Sequence, residues 1–196
     1  QTEMVAGLAK RAEKIRARLV KPQTDNMLKV TNDGRQLALD QRLIDPMLPD
    51  DPNSKVNACV DNIYRIWEEH ADTKAAQLVF SDLSTPKNDG TFNIYDDIRE
   101  KLIARGIPAE QVRFIHEANT DAQKKELFAK VRSGEVRILF GSTQKMGAGT
   151  NVQDRLIAIH NLDCPWKPSC LEQRQGRLER QGNMFPEVEV YRYVTE

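Results

Sequence analysis

Residues 138–183 read ILFGSTQKMGAGTNVQDRLIAIHNLDCPWKPSCLEQRQGRLERQGN, and no other stretch restricts the possible folds so tightly. Val136, Arg137, Ile138, Leu139 and Phe140 form a short, mostly apolar, β-favouring run that stops at Gly141-Ser142-Thr143. A glycine-rich turn, a second buried strand and an arginine-studded helix from about Pro168 to Gln181 follow. In an open α/β sheet, ligands gather outside the carboxyl ends of the strands, so the polar turn after Phe140 is where chemistry is expected. On the helix, Gln173, Arg177 and Arg180 stand at i, i+4 and i+7, which puts them on one face. Two guanidiniums one turn apart beside a glutamine suit the gripping of a polyphosphate on which charge develops. The plainer alternative pairs them at the surface with Glu172 or Glu179, where each ion pair contributes ~0–1 kcal/mol.

The length of 196 residues allows one domain with an appendage, or two small ones. An apolar share of 39% with 30% charged residues is ordinary for a soluble globular protein. Formal net charge is zero, so any nucleic-acid contact has to come from a local patch. No apolar run approaches the ~20 residues of a membrane span. Cys59, Cys164 and Cys170 make no CxxC pair, and an odd count without a framework suits a reducing cytoplasm. His70, His116 and His160 are scattered without metal-ligand spacing, so no metal site is expected. The chain opens on Gln1 inside a helical pattern, which leads us to expect a piece of a longer polypeptide.

In chain order, Met4, Leu8, Ala12, Ile15 and Leu19 predict a helix over Thr2 to Leu19, ended by Pro22. Its other face is basic, with Lys10, Arg11, Lys14, Arg16 and Arg18, either simply solvated or touching DNA phosphates. In Asp25 to Leu48, Thr31 or Asn32 can cap a helix and Asn32-Asp33-Gly34 supplies turn chemistry. Asp50 to Ser54 is a loop and the expected domain boundary, giving an extension over 1–50 and a domain over 51–196. Val56, Val60, Ile63 and Trp67 line one side of a helix starting at Lys55. Glu68 to Asp72 ends that helix, so its acids are not those of a strand-end magnesium site. Ala76 to Leu83 is a buried strand ending in polar Ser81-Asp82. Ile94, Ile98, Leu102 and Ile103 mark a helix closed by Gly106 and Pro108. Val112 to His116 is a strand, and Asn119 to Val131 a helix opened by a Thr120-x-x-Gln123 capping box. Val188 to Val194 alternates like a last strand. The βαβαβ order predicts an α/β fold with a parallel sheet and right-handed crossovers.

GSTQKMGAGTNVQ resembles motif V, and QRQGRLERQGN motif VI, of superfamily 2 helicases, with the Swi/Snf-type DNA translocases the nearest type. DCPWKP lies between them, where that family has an Asp-Pro-x-Trp-like stretch. Ser142, Thr143, Gly147, Gly149 and Asn151 fall on the Ser-Thr and Gly-x-Gly-x-Asn positions, and Gln173, Gly176, Arg177, Arg180 and Gly182 on those of motif VI. Met146 stands where a first glycine is usual and Asn183 where a glutamine is usual. Over roughly Lys55 to Glu196, the resemblance implies a RecA-like parallel sheet flanked by helices, the C-terminal lobe of such a motor, with the helical extension ahead of it. It implies that Arg177 and Arg180 act as arginine fingers, with Gln173, on ATP and Mg2+ held mainly by an N-terminal RecA-like lobe. Gly147, Gly149 and Asn151 would then adjoin the nucleotide, while Ser81, Ser142, Thr143 and Lys145 would contact DNA. Asp25 to Leu48 also resembles a stretch of large methyltransferase–helicase proteins of phages and conjugative elements, implying a cytoplasmic parent with a linked DNA methyltransferase domain.

The sequence holds no G-x-x-x-x-G-K-[ST] loop and no strand-end DExx. Such a chain alone is expected not to hydrolyse ATP. Two other readings stay open. DCPW at Asp163 to Trp166 faintly resembles the DPPY-type loop of amino-methyltransferases, although a methyl-donor glycine loop is absent. A RecA-like fold kept only for docking is the other. Trp166 could stack on a base or pack in a turn between its two prolines.

Overall fold

In the computed structural model of the chain, residues 2–146, 150–163 and 182–194 are described. Five strands form one parallel sheet in the order β2-β3-β1-β4-β5: β1 Ala76–Phe80, β2 Val112–Phe114, β3 Ile138–Gly141, β4 Leu156–Asn161 and β5 Glu189–Arg192. The three inner strands are buried along their whole length, as expected when helices cover both faces of a parallel sheet. Alternation along each strand divides the core. Val79, Ile138 and Phe140 face α3 (Lys55–Glu69) and α4 (Ile94–Ala104), while Leu78, Phe80 and Leu139 face α5 (Asp121–Ser133).

Local signals explain where these helices begin and end. The Ser54 hydroxyl accepts from Asn57 N at the start of α3, and the Asn93 side chain from Asp96 N at the start of α4. Thr120 and Gln123 close the expected capping box of α5. Gly134 ends α5 at φ 86°, where a Cβ would meet Lys74 Cβ at 2.8 Å, so only glycine fits there. The buried Arg137 guanidinium donates to the carbonyls of Trp67, His70 and Ala75, closing the C-terminal end of α3, and burial lowers its pKa to about 10.

The N-terminal region departs from expectation in three ways. Helix α1 (Thr2–Arg16) stops before Leu19, because Arg18 at φ 57° lets Leu19 N reach Lys14 O and Arg18 N reach Ile15 O, a left-handed closure. Helix α2 (Met27–Leu39) runs straight through Asn32-Asp33-Gly34. Its cap is Asn26, ahead of the expected Thr31 or Asn32, and burial of Val30, Leu37 and Leu39 outweighs the local turn preference. Arg11 does not join a solvated basic face; it turns toward α2 and pairs with Asp25 and Asp33 at 2.8 and 2.6 Å. The segment after α1 also seats on the lobe. Leu39 lies in the α3–α4 core, and the buried Arg42 bridges Asp40 and Asp97 at 2.7 and 2.9 Å, with Asp50 at 3.3 Å.

A polar chain crosses the interior between α3 and strands β1 and β4. Gln77 Nε2 donates to Ile63 O, which aims its Oε1 at His160 Nε2, 2.7 Å away. His160 Nε2 therefore carries the proton, and its Nδ1 accepts from the Tyr193 hydroxyl at 2.8 Å, which accepts in turn from Asn62. Burial, and then the nearby charge of Arg65, lower the His160 pKa to about 3.

Candidate functional site

The carboxyl ends of all the strands lie along one rim, as the parallel registers require. Two aspartates fasten the turns there. Asp163, just past β4, accepts through Oδ2 from Asp82 N at 2.6 Å, Leu83 N at 3.0 Å and Ser81 Oγ at 3.4 Å. Asp82, just past β1, accepts from Thr143 N at 2.7 Å and Thr143 Oγ1 at 2.9 Å. The end of β4 thus holds the turn of β1, and that turn holds the turn of β3.

Past β3, the Ser142 hydroxyl accepts from Lys145 N at 3.2 Å and its carbonyl from Met146 N at 3.0 Å, which winds residues 143–146 into one helical turn. That turn presents Gln144 and Lys145 outward. Met146 folds back into the core, 1% exposed, into space that opens because residue 141 has no side chain: a Cβ on Gly141 would lie 2.2 Å from Met146 Cγ. Met146 in place of a glycine is thus a packing arrangement matched to Gly141.

These turns enclose an open cavity of about 610 Å3. Asp82 and Thr85 reach it from β1, His116 from β2, and Ser142, Thr143, Gln144 and Lys145 from β3. His116 meets the Tyr95 ring edge-on at 5.3 Å, and its Nδ1 is buried without a hydrogen-bond partner. Burial, and then the charge of Lys145, lower its pKa from the ordinary value.

Of the residues expected at the site, Ser142, Thr143 and Lys145 share this cavity. Ser81 lies beneath it. Its side chain is 0% exposed and bound to Asp163, while its carbonyl accepts from Tyr95 Oη at 2.6 Å, so any part it plays at a bound backbone is indirect. Asn151 is exposed, and its carbonyl accepts from Arg132 at 2.6 Å. Gly147, Gly149, Trp166, Gln173, Gly176, Arg177 and Arg180, with the whole expected helix from Pro168 to Gln181, lie outside the described residues. Beyond that segment, Gly182 takes φ 101°, and Asn183 ties the chain back to β4 by donating to Leu156 O at 2.8 Å and accepting from Phe185 N at 2.9 Å. Sequence reading missed the Asp82–Asp163 fastening and the place of His116. Its one available signal was that each of these polar residues lies two positions past the end of a strand.

Among the described residues, no group of three or more His, Cys, Asp and Glu is placed to hold a metal ion. No helix among them is long and apolar enough to cross a membrane. The family model described as helicase conserved C-terminal domain matches residues 55–182. The chain is similar in fold to the crystal structure of the C-terminal part of the Fun30 ATPase domain, with TM-score 0.52 and 18% identity over 78% of this chain and 45% of that one. It is likewise similar to Mss116p bound to ssRNA and AMP-PNP, with TM-score 0.51 and 15% identity over 71% of this chain and 25% of that one. The chain therefore spans less than half the length of these solved structures. At such identities the likeness shows the fold alone. No curated protein matches the chain.

Proposed function

The chain belongs to the helicase conserved C-terminal domain family, and from that premise we propose that it is the second motor lobe of an ATP-dependent DNA helicase or translocase. The observation that carries this reading is the fastened rim, where hydroxyl-bearing turns and Lys145 meet at one open cavity. Lysine, hydroxyl and backbone N–H donors are the groups that grip phosphodiester oxygens without reading base sequence. In this reading Ser142 and Lys145 donate to the DNA backbone, Thr143, whose amide and hydroxyl donate to Asp82, adjoins it and holds the turn, and Ser81 supports that turn from below. The carboxylate of Asp163 is taken up by the Asp82 and Leu83 amides, which supports a structural role over the orienting of a methyl-acceptor amine.

We assign the nucleotide to the cleft between this lobe and an N-terminal RecA-like lobe of the same polypeptide. The sequence has no G-x-x-x-x-G-K-[ST] phosphate loop, and in this reading the main hold on ATP and Mg2+ is that first lobe's. ATP bound there supplies the phosphoryl transfer that drives the cycle. Arg177 and Arg180, with Gln173, stabilise the charge that develops, a contribution of roughly 10³ to 10⁵ in rate for arginine fingers. Gly147, Gly149 and Asn151 adjoin the same cleft. By the resemblance of residues 25–48, the parent is a cytoplasmic protein that also carries a DNA methyltransferase domain.

The test is made in the full-length parent. Arg177→Ala and Arg180→Ala should each abolish DNA-stimulated ATPase while thermal unfolding stays as in the wild type. Unchanged turnover in both variants would refute the motor reading and leave a docking module.

A further inference from the structure

The motor reading assigns no part to His116, a titratable side chain of the cavity wall. A histidine that serves only to pack finds partners for both ring nitrogens, as His160 does with Gln77 and Tyr193. His116 stands in the cavity wall with Lys145, and its buried Nδ1 is unpartnered. We propose that His116 is a second, proton-linked phosphate contact of this rim: a nucleic-acid phosphodiester seated against Lys145 brings a proton onto the His116 imidazole. The inference rests on the reading of the cavity as a nucleic-acid rim.

The electrostatics run in one direction. Without a ligand, a protonated His116 would set a second cation beside Lys145 in a partly desolvated wall, and both effects disfavour the charge. A phosphate between the two cations reverses the sign of that interaction, because each then faces an anion. The other charged groups around His116 do not substitute for it. Asp82, from the turn after β1, is engaged by Thr143 N and Oγ1, and Glu117, the next residue in the chain, is paired with Arg113. From α4 come the Tyr95 ring and, further along, Arg99, whose guanidinium lies over Phe114 at 5.5 Å and adds positive charge. An anion seated there therefore favours proton uptake on His116.

The chain has three histidines, so their ring signals can be followed separately by NMR between about pH 5 and 9. The titration is run on the chain alone, with a saturating short DNA oligonucleotide, and with inorganic phosphate. We expect DNA to raise the His116 midpoint by about one pH unit. By reciprocity, DNA affinity then rises about tenfold as pH falls through that window. His116→Gln, which cannot titrate, should flatten this dependence, and Lys145→Ala should weaken binding at every pH. An unchanged His116 midpoint, with DNA binding that still depends on Lys145, overturns this inference and leaves the rim reading standing. Absent DNA binding, or binding indifferent to Lys145→Ala, overturns both. An equal rise with inorganic phosphate alone assigns a lone-anion site and overturns the nucleic-acid contact.

Discussion

Replacing Asp163 by alanine removes the one acceptor shared by Asp82 N, Leu83 N and Ser81 Oγ. The two backbone donors lie at 2.6 and 3.0 Å from a carboxylate oxygen, the geometry of charge-assisted hydrogen bonds. A buried donor left unmade costs about 1–3 kcal/mol. Asp82 is itself exposed, so water can reach part of this knot, and the lower half of that range applies to its amide. Asp163→Ala should therefore cost about 2–4 kcal/mol, from two orphaned donors with partial rehydration. Asp163→Asn keeps an acceptor but loses the charge, and should cost about 1–2 kcal/mol. Ser81→Ala deletes only the longest of the three bonds, at 3.4 Å, and should cost less than ~1 kcal/mol. Equilibrium urea unfolding of the four proteins measures the order directly. An Asp163→Ala variant within about 0.5 kcal/mol of the wild type would show that the carboxylate is not what holds the turns, and the argument from a preformed rim would fail with it.

Stability should fall in acid through His160. The folded state keeps its imidazole neutral, with a pKa near 3, whereas the unfolded chain takes up a proton below about pH 6.5, so the unfolded state binds more protons in between. The contribution is complete above pH 7 and is lost at about 1.4 kcal/mol per unit as pH drops below 6.5; His160→Gln should remove that part of the slope in urea titrations from pH 7 to 5. Arg42→Ala leaves the buried Asp40 without its cation, while Asp97 keeps Lys101 at 2.9 Å, and should cost about 3–5 kcal/mol, read from the urea midpoint. Gly141→Ala puts a methyl against Met146 and should cost about 1–3 kcal/mol, and Met146→Ala in the same chain should recover part of that loss; strict additivity of the two changes would contradict the packing account.

How far the fold could be read in advance depends on where each element gets its instructions. Helix α5 was readable because Thr120, Gln123 and Gly134 act within a few residues of the ends they set. The inner strands announced themselves as apolar runs, since burial on both faces of a parallel sheet leaves no polar alternation. Asn32-Asp33-Gly34 misled because turn chemistry is a local preference. The cap at Asn26 is local too, whereas the burial of Val30 and Leu37 is tertiary and stronger. Arg11 misled for a like reason: its partners Asp25 and Asp33 lie 14 and 22 residues away. At the site, Ser142, Thr143 and Lys145 could be named because they follow a strand run directly. The fastening of Asp163 to Asp82 and Leu83 spans 81 and 80 residues and leaves no periodic trace in the sequence.

The same long-range ties bear on how a lobe of this kind would work. Each is made between turns that emerge from neighbouring strands. The rim and the sheet therefore form one stiff unit, in which Thr143 and Ser142 hold their positions before any ligand arrives. A backbone gripped there would move as far as the sheet moves, without slack in the turns, because tightly hydrogen-bonded buried groups have one arrangement. In the proposed motor, closure of a partner lobe onto such a unit would convert rotation of the whole lobe into displacement of the gripped phosphates. A rim of free loops would absorb the same rotation locally, and the fastening aspartates are what separate the two cases.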